Sequence, residues 1–149
     1  MVEIRLAVTG DVSAVRAVVV AAYEGYVPRI GVVPAPMTAD YDGAIRRECV
    51  WVAQDDGPIV GVLVLVPYPD HLLLENIAVT PAAQGQGIGN QLLAFTEGVA
   101  RRQGLDEVRL YTNVAMVDNI AYYTRHGYEE THRDEHDGFR RVFMRKRLS

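Results

Sequence analysis

Hydrophobic residues recur along this chain with two different periods, which predicts a protein built from strands and helices together. Alternating or continuous apolar runs that end in turn residues are typical of strands, whereas apolar residues three and four positions apart are typical of a helix with one buried face. The runs predict seven strands, at residues 3–8, 49–54, 59–66, 72–79, 108–112, 128–133 and 139–145.

Helical patterns fill four of the intervals between these strands. The first helix follows Asp11, a suitable N-cap residue, and the others cover about 37–48, about 87–103 and a stretch that ends at Gly127. The apolar face of the first helix consists of Val15, Val18, Val19 and Ala22. This alternation predicts an α/β fold in which a mixed central sheet of about seven strands is flanked by about four helices.

A glycine-rich turn joins the predicted strand 72–79 to the next helix, and we refer to residues 84–89 (Gln-Gly-Gln-Gly-Ile-Gly) as the glycine loop. Glycines let a ligand approach the backbone, and the N-terminus of a helix favours negative charge, so this arrangement predicts a phosphate site. Two common phosphate motifs do not fit. A dinucleotide fingerprint needs a glycine where Leu92 stands, and a P-loop needs a lysine after the glycines, whereas Lys146 is the only lysine of the chain.

Two segments resemble the hallmarks of the GNAT N-acetyltransferase superfamily. The glycine loop has the pattern Q-x-x-G-x-G, is preceded by Val79 and Pro81, and resembles the acetyl-CoA pyrophosphate loop of that family. The run N-I-A-Y-Y-T-R-H-G-Y at residues 119–128, with Asn113 upstream, resembles the second hallmark. Both occur in the family's order and at a family-like separation, so the resemblance covers nearly the whole chain and implies a single GNAT domain over residues 1–149.

The resemblance also implies a reaction and a coenzyme site. The expected activity moves the acetyl group from acetyl-CoA to a primary amine of a small molecule or peptide. In the family, the strand before the loop pairs with the pantetheine arm, the loop holds the pyrophosphate, and an asparagine contacts the arm. The matching residues here are Ile77, Ala78, Val79, Gln84, Gly85, Gln86, Gly87, Ile88, Gly89 and Asn119. Asn113 is either a second asparagine of this kind or a structural cap.

Acetyl transfer needs a base that removes a proton from the amine and an acid that protonates the departing thiolate. Tyr123 matches the family tyrosine that contacts the coenzyme sulfur and donates this proton. Glu75, on the strand that leads to the glycine loop, is the carboxylate best placed to act as the base, directly or through a water. The alternative for Glu75 is a polar residue at a strand edge, because one common family position for the base falls near Leu73.

In GNAT folds the acceptor usually lies against the segment between the first two helices and against the last hairpin. We refer to Tyr26–Met37, which contains three prolines, as the acceptor segment. Tyr26 and Met37 offer it apolar contact area, and Arg29 offers a guanidinium that can clamp a carboxylate. The alternative for Arg29 is a solvated loop residue.

Composition indicates which binding partners and which cellular compartment to expect. A net charge of −4 argues against nucleic acid as a partner. The sequence has no apolar run of about 18 residues, which argues against a membrane span, and no signal-peptide pattern, which argues against secretion. The single cysteine, Cys49, cannot form an internal disulfide, which favours the cytoplasm. His126, His132 and His136 are too scattered for a metal site, so no metal is predicted.

Two other functions remain open at this point. One is an enzyme that transfers a longer acyl chain, and the other is a non-catalytic acyl-CoA-binding sensor or regulator with the same fold. A silent protein is expected to have lost either Tyr123 or the glycine loop, and this chain has both. The identity of the acceptor and the oligomeric state, including a homodimer, are also left open.

Overall fold

A seven-stranded mixed sheet carries the fold, and the computed structural model describes residues 2–149 apart from the side chain of His136. The strands are β1 (Glu3–Leu6), β2 (Val50–Gln54), β3 (Ile59–Pro67), β4 (Leu72–Val79), β5 (Glu107–Asn113), β6 (Glu129–His136) and β7 (Phe139–Arg147). Their order in the sheet is β1-β2-β3-β4-β5-β7-β6. The β4–β5 pair is parallel, whereas the β1–β2, β2–β3, β5–β7 and β6–β7 pairs are antiparallel, which confirms the predicted mixed sheet.

Over the described residues the sheet is accompanied by five α-helical segments, one of which is a single turn. They are α1 (Val12–Tyr23), α2 (Val27–Ile30), α3 (Tyr41–Arg46), α4 (Ile88–Arg102) and α5 (Val117–Arg125). The second predicted helix, at about 37–48, is shorter than expected. A separate 3-10 turn occupies Ala35–Thr38, and α3 begins only after Asp40, whose carboxylate accepts a hydrogen bond from the Gly43 N–H at 3.0 Å.

Asp11 directly precedes α1, as predicted, but its carboxylate does not cap that helix. It accepts hydrogen bonds from the Arg5 guanidinium at 2.8 and 3.1 Å and from the Val8 N–H at 2.8 Å. The Arg5 hydrogen bond is the main cause that holds the pKa of Asp11 below its usual value. Asp11 therefore links β1 to the start of α1 through an ion pair.

Contacts group the chain into two units, the first of which comprises residues up to Leu65 together with Asn76–Phe95. Its core lies between strands β2 and β3 and helices α1 and α3. The fully buried valines of this core are Val15, Val19, Val50, Val52 and Val62. On β2, Trp51 contacts Phe95 of α4, with ring centroids 6.0 Å apart. The predicted apolar face of α1 is thus confirmed at Val15, Val18 and Val19, which are buried.

A buried amide connects β4 to the helical part of this unit. Asn76 is only 5% exposed, and its Oδ1 accepts a hydrogen bond from the Tyr23 hydroxyl at 2.7 Å. Its Nδ2 donates to the Tyr41 hydroxyl at 3.1 Å, which in turn donates to the Pro36 carbonyl. The amide therefore ties the end of α1, the start of α3 and the acceptor segment to one residue of the sheet.

The second unit comprises Val66–Glu75 and Thr96–Ser149. Within it, Leu72–Leu74 of β4 pair with Val108–Leu110 of β5, and β5 pairs with β7 along its whole length. Alternate residues of these strands are buried, namely Leu72, Leu74, Val108, Leu110, Val142 and Met144. The opposite face of β5 and β7 carries Tyr111, Arg141 and Phe143, which are only half-buried.

The buried amide yields a stability prediction. Asn76→Leu keeps the approximate volume but removes both hydrogen bonds of the side chain, so we expect the free energy of unfolding to fall by about 1–3 kcal/mol. Urea unfolding followed by circular dichroism measures this change. Tyr23→Phe, which deletes one hydroxyl, should cost less, about 1 kcal/mol. An unfolding free energy that is unchanged in Asn76→Leu would show that the amide does not hold these segments together.

Candidate functional site

The predicted site residues fall in both units. The glycine loop, Ile77–Val79 and the acceptor segment belong to the first unit, whereas Glu75, Asn119 and Tyr123 belong to the second.

Residues 84–87 of the glycine loop are exposed, and the backbone there has a conformation that favours glycine. Gly85 has a φ of 83° and Gly87 a φ of 82°, in the left-handed region that other residues rarely adopt. A Cβ added at either position would meet no protein atom within 4 Å, so the space in front of the backbone is open to a ligand. The 15-residue helix α4 begins at Ile88, directly after the second of these glycines. Open backbone followed by a long helix fits a bound phosphate group.

Gln84 closes this loop onto the strand that precedes it. Its Nε2 donates a hydrogen bond to the Val79 carbonyl at 3.1 Å, and its N–H donates to the Pro81 carbonyl at 3.3 Å. The side chain thus orients the loop and at the same time occupies the Val79 carbonyl oxygen. Along Ile77–Val79, only Ala78 is buried, because successive side chains of a strand point to opposite faces. Pairing of this backbone with a pantetheine arm stays a prediction.

Tyr123 lies in α5 and is only 6% exposed. Its ring makes edge contacts with the rings of Tyr122 and Tyr128, with centroids 5.6 and 5.8 Å apart. Burial raises the pKa of the Tyr123 phenol, and the neighbouring tyrosines raise it further. The phenol therefore keeps its proton at neutral pH, and the same rise in pKa makes it a weaker acid.

The two candidate asparagines have different environments. Asn113 closes the turn after β5, because its Oδ1 accepts a hydrogen bond from the Ala115 N–H at 2.9 Å and its carbonyl accepts one from the Met116 N–H at 3.0 Å. Asn119 is half-buried in the first turn of α5. Its Nδ2 lies 3.9 Å from the Met116 sulfur, which is a weak acceptor, so the amide retains hydrogen-bonding capacity.

Glu75 is exposed on β4, immediately before the buried Asn76. Its charge acts on Tyr111 of the neighbouring strand. Burial is the main reason why the pKa of Tyr111 is raised, and the negative charge of Glu75 raises it further. A carboxylate in this position is open to solvent.

The acceptor segment is more structured than a plain connector. It contains α2 and the 3-10 turn Ala35–Thr38, and Gly31 ends α2 with a φ of 83°. Tyr26 and Met37 are half-buried, whereas Arg29 is exposed and its Cζ lies 5.3 Å from the centroid of the Tyr26 ring. Arg29 therefore stacks on a neighbour within its own segment.

Two groups near the predicted residues were not identified from the sequence. One is Asn76, for which the available signal is an amide in an otherwise apolar strand. The other is the set of aromatic and arginine side chains around Tyr111, which becomes visible only once β5 and β7 are paired. Among the side chains that the structure describes, which do not include that of His136, no three histidine, cysteine, aspartate or glutamate side chains are grouped so that they could hold a metal ion. None of the described helices is both long and apolar enough to span a bilayer.

Comparison with known sequences identifies relatives over part of the chain. Residues 46–130 match the model of the acetyltransferase (GNAT) domain. An aminoalkylphosphonate N-acetyltransferase of Salmonella typhimurium is 39% identical over 59 residues, which are 40% of this chain and 38% of the relative. N-acetyltransferase 8 of Homo sapiens is 30% identical over 92 residues, which are 58% of this chain and 40% of the relative. The chain thus spans about two fifths of the length of these curated relatives.

Solved structures match over nearly all of the chain. The PaiA N-acetyltransferase of Thermoplasma acidophilum, in complex with coenzyme A, has a TM-score of 0.83 at 18% identity and covers 99% of both chains. The ribosomal-protein-S18-alanine N-acetyltransferase of Escherichia coli has a TM-score of 0.80 at 21% identity, covering 100% of this chain and 95% of that one. At these identities the likeness concerns the fold, and it confirms the predicted architecture.

Proposed function

The chain belongs to the GNAT acetyltransferase domain family, and on this premise we propose that it is an acetyl-CoA-dependent N-acetyltransferase acting on a primary amine of a small molecule or peptide. The glycine loop carries the proposal, because its open backbone, its two left-handed glycines and the helix behind it suit a pyrophosphate. The names of the curated relatives and the coenzyme A present in a structural neighbour support the same activity.

Acetyl-CoA supplies a thioester-activated acetyl group to this reaction. The N–H groups of the glycine loop and the start of α4 would hold its pyrophosphate, since these donors favour negative charge. Gln84 keeps the loop in place through its hydrogen bond to Val79. The backbone of Ile77–Val79 and the amide of Asn119 would contact the pantetheine arm.

Glu75 is proposed as the base. A lysine-like amine with a pKa of ~10.4 is neutral in only about one molecule in a thousand or fewer at pH 7, so the acceptor must lose a proton before it can attack. The exposed carboxylate of Glu75 takes this proton, directly or through a water. The nitrogen lone pair would then form the C–N bond as the C–S bond breaks, and the second proton of the nitrogen would pass to water.

Tyr123 is proposed as the acid. The breaking C–S bond leaves a thiolate, and the phenolic proton of Tyr123 neutralises it. Burial keeps this phenol protonated before the reaction, because an ionised phenolate would lose its hydration in the core. Release of the thiol and exchange with water return the proton to Tyr123.

The decisive experiment incubates the protein with acetyl-CoA and a panel of amines and measures thiol release. Acetylation of any amine above the spontaneous rate supports the enzyme. Tight binding of acetyl-CoA without turnover on any amine would instead favour the non-catalytic sensor. A higher rate with a longer acyl-CoA than with acetyl-CoA would favour the variant that transfers a longer acyl chain.

The coenzyme site is tested by Gly87→Val, with Gly138→Val as its matched control. Both glycines have a similar left-handed φ, 82° and 80°, and neither has a protein atom in front of it, so both changes strain the backbone alike. We expect only Gly87→Val to weaken coenzyme A binding, by about tenfold or more, because its side chain would occupy the approach to the loop. Calorimetry on the folded proteins measures the affinity. Equal affinities in the two variants would place the pyrophosphate elsewhere.

The acid is tested by Tyr123→Phe, which removes one hydroxyl and keeps the ring contacts. We expect kcat to fall by ~10²–10⁴-fold while the affinity for acetyl-CoA is retained, and Tyr122→Phe should leave kcat nearly unchanged. Because the pKa of Tyr123 is raised, the wild-type rate should not fall as the pH rises towards about 10. Steady-state and single-turnover rates across this range check both points. If the single-turnover rate of Tyr123→Phe equals that of the wild type, Tyr123 has a packing role only.

The base is tested by Glu75→Gln, a change of similar shape that cannot accept the proton. We expect kcat/KM for the amine to fall by ~10²–10⁴-fold at neutral pH and to recover as the pH rises, because more of the amine is then neutral without help. The exposed Glu3 of β1, changed to Gln, serves as the control and should behave as wild type. If the pH profile of Glu75→Gln has the wild-type shape, Glu75 is a strand-edge residue and another group is the base.

A further inference from the structure

Arg141 on β7 is a half-buried cation that aromatic rings hold in place. Its Cζ lies 4.6 Å from the centroid of Tyr111 and 5.5 Å from the centroid of Phe139, within the range of cation–π attraction. Among the described residues, no carboxylate forms an ion pair with its guanidinium. Stacking engages only the faces of the group, so the N–H donors around its rim remain available.

Three other cations of the same strand, at its C-terminal end, have carboxylate partners, and Arg147 lies 3.8 Å from a Glu107 oxygen. The Arg145 guanidinium lies 3.1 Å from a Glu129 oxygen, and the Lys146 ammonium lies 3.0 Å from a Glu97 oxygen. The chain also has 19 acidic residues against 15 basic ones, so carboxylates are plentiful. Asp134 stands opposite Arg141 on β6, but its Oδ1 accepts a hydrogen bond from the Glu135 N–H. Arg141 is therefore oriented by rings, and none of the described carboxylates is its counter-ion.

The surroundings of Arg141 form a continuous face of the second unit. Tyr111 pairs with Phe143 across β5 and β7, and Arg141, two residues before Phe143, shares its face. The His132 ring stacks on Phe143 with centroids 4.4 Å apart. Tyr111 has a second charged neighbour in Glu75, whose charge contributes to the raised pKa of the phenol, whereas Arg141 opposes that rise. A cation and a carboxylate thus lie near the same aromatic ring.

We propose that Arg141 binds an anionic oxygen group of the acceptor, so that the acceptor is a small amine which also carries a carboxylate or a phosphonate. The planar guanidinium fork matches two oxygens of either group, and partial burial strengthens the pair by excluding water. The proximity of Arg141 and Glu75 to Tyr111 suits an amine and an anion that are only a few bonds apart. This assignment rests on the proposed acetyl transfer, in which Glu75 receives the proton of the amine.

The test compares acceptors that differ only in the anionic group. β-Alanine and aminoethylphosphonate carry the carboxylate and the phosphonate, and β-alaninamide is the neutral counterpart. We expect wild-type kcat/KM to be about 10- to 100-fold higher for at least one anionic amine than for the amide, as for a charge-assisted hydrogen bond. The anion with the larger advantage identifies the preferred oxyacid. Equal values for all three amines would overturn the proposal.

Arg141→Gln supplies the second arm of the test. It should remove the preference by raising KM for the anionic amine about 10- to 100-fold, while KM for acetyl-CoA and kcat/KM for β-alaninamide are retained. Arg141→Lys keeps the charge without the fork and should restore part of the preference. Arg140→Gln, at the exposed neighbouring residue of β7, should behave as wild type. The assignment would be contradicted if Arg141→Gln lowered kcat/KM equally for all amines. It would also be contradicted if Arg29→Gln, and not Arg141→Gln, removed the preference for the anionic amine.

A direct binding measurement separates this proposal from the proposed activity. If wild-type protein acetylates no amine, the activity is wrong, but binding of β-alanine and aminoethylphosphonate can still be followed by NMR titration without acetyl-CoA. Chemical-shift changes around Tyr111 that are seen in wild type and lost in Arg141→Gln would support the anion site. Absence of binding by wild type, or equal binding by Arg141→Gln, would overturn it.

Discussion

The amide of Asn76 is the constraint on which the first unit depends most. An amide buried in an apolar strand is costly unless both of its ends are hydrogen-bonded, and here each end has a tyrosine partner. Through Tyr41 the same network reaches the Pro36 carbonyl. The acceptor segment has little core of its own, since Val32 and Val33 are 43% and 49% exposed. Its position is therefore set by polar contacts to β4 and by the prolines that restrict its backbone.

Burial of the same amide determines which side chains of β4 face away from the core. Side chains alternate along a strand, so burial of Asn76 and Ala78 directs Glu75, Ile77 and Val79 to the other face. A shift of one residue in the pairing would bury the Glu75 carboxylate, which is costly, and would break the hydrogen bonds of the amide to Tyr23 and Tyr41. The exposed position of the proposed base is thus a consequence of how the strand is packed.

Local patterns explain how much of this structure could be predicted from the sequence. The strands and the long helices follow from apolar periodicity and from glycines and prolines at their ends, and the glycine loop from its own residues. Contacts between distant residues leave no such pattern. Asn76 bonds to Tyr23 and Tyr41, which are 53 and 35 positions away, and Arg141 reaches Tyr111 only through the register of β5 and β7. The proposed role of Tyr123 came from family resemblance and that of Glu75 from its place on the strand before the glycine loop, because neither residue has a distinctive local signal.

Electrostatics sets a further condition on the proposed function. The chain has a net charge of −4, whereas acetyl-CoA is anionic and the proposed acceptor carries an anionic group, so the overall field of the protein does not attract these groups. At physiological ionic strength charges are screened beyond about 8 Å, which makes this repulsion weak at a distance and leaves short-range donors to decide binding. The backbone N–H groups of the glycine loop provide such donors without any net charge. Arg141, which is stacked on Tyr111 and has no carboxylate partner among the described residues, provides one with a full charge. An acidic protein can therefore bind two anionic groups if each meets its own local donors, so the surroundings of Arg141 are more informative here than the net charge of the chain.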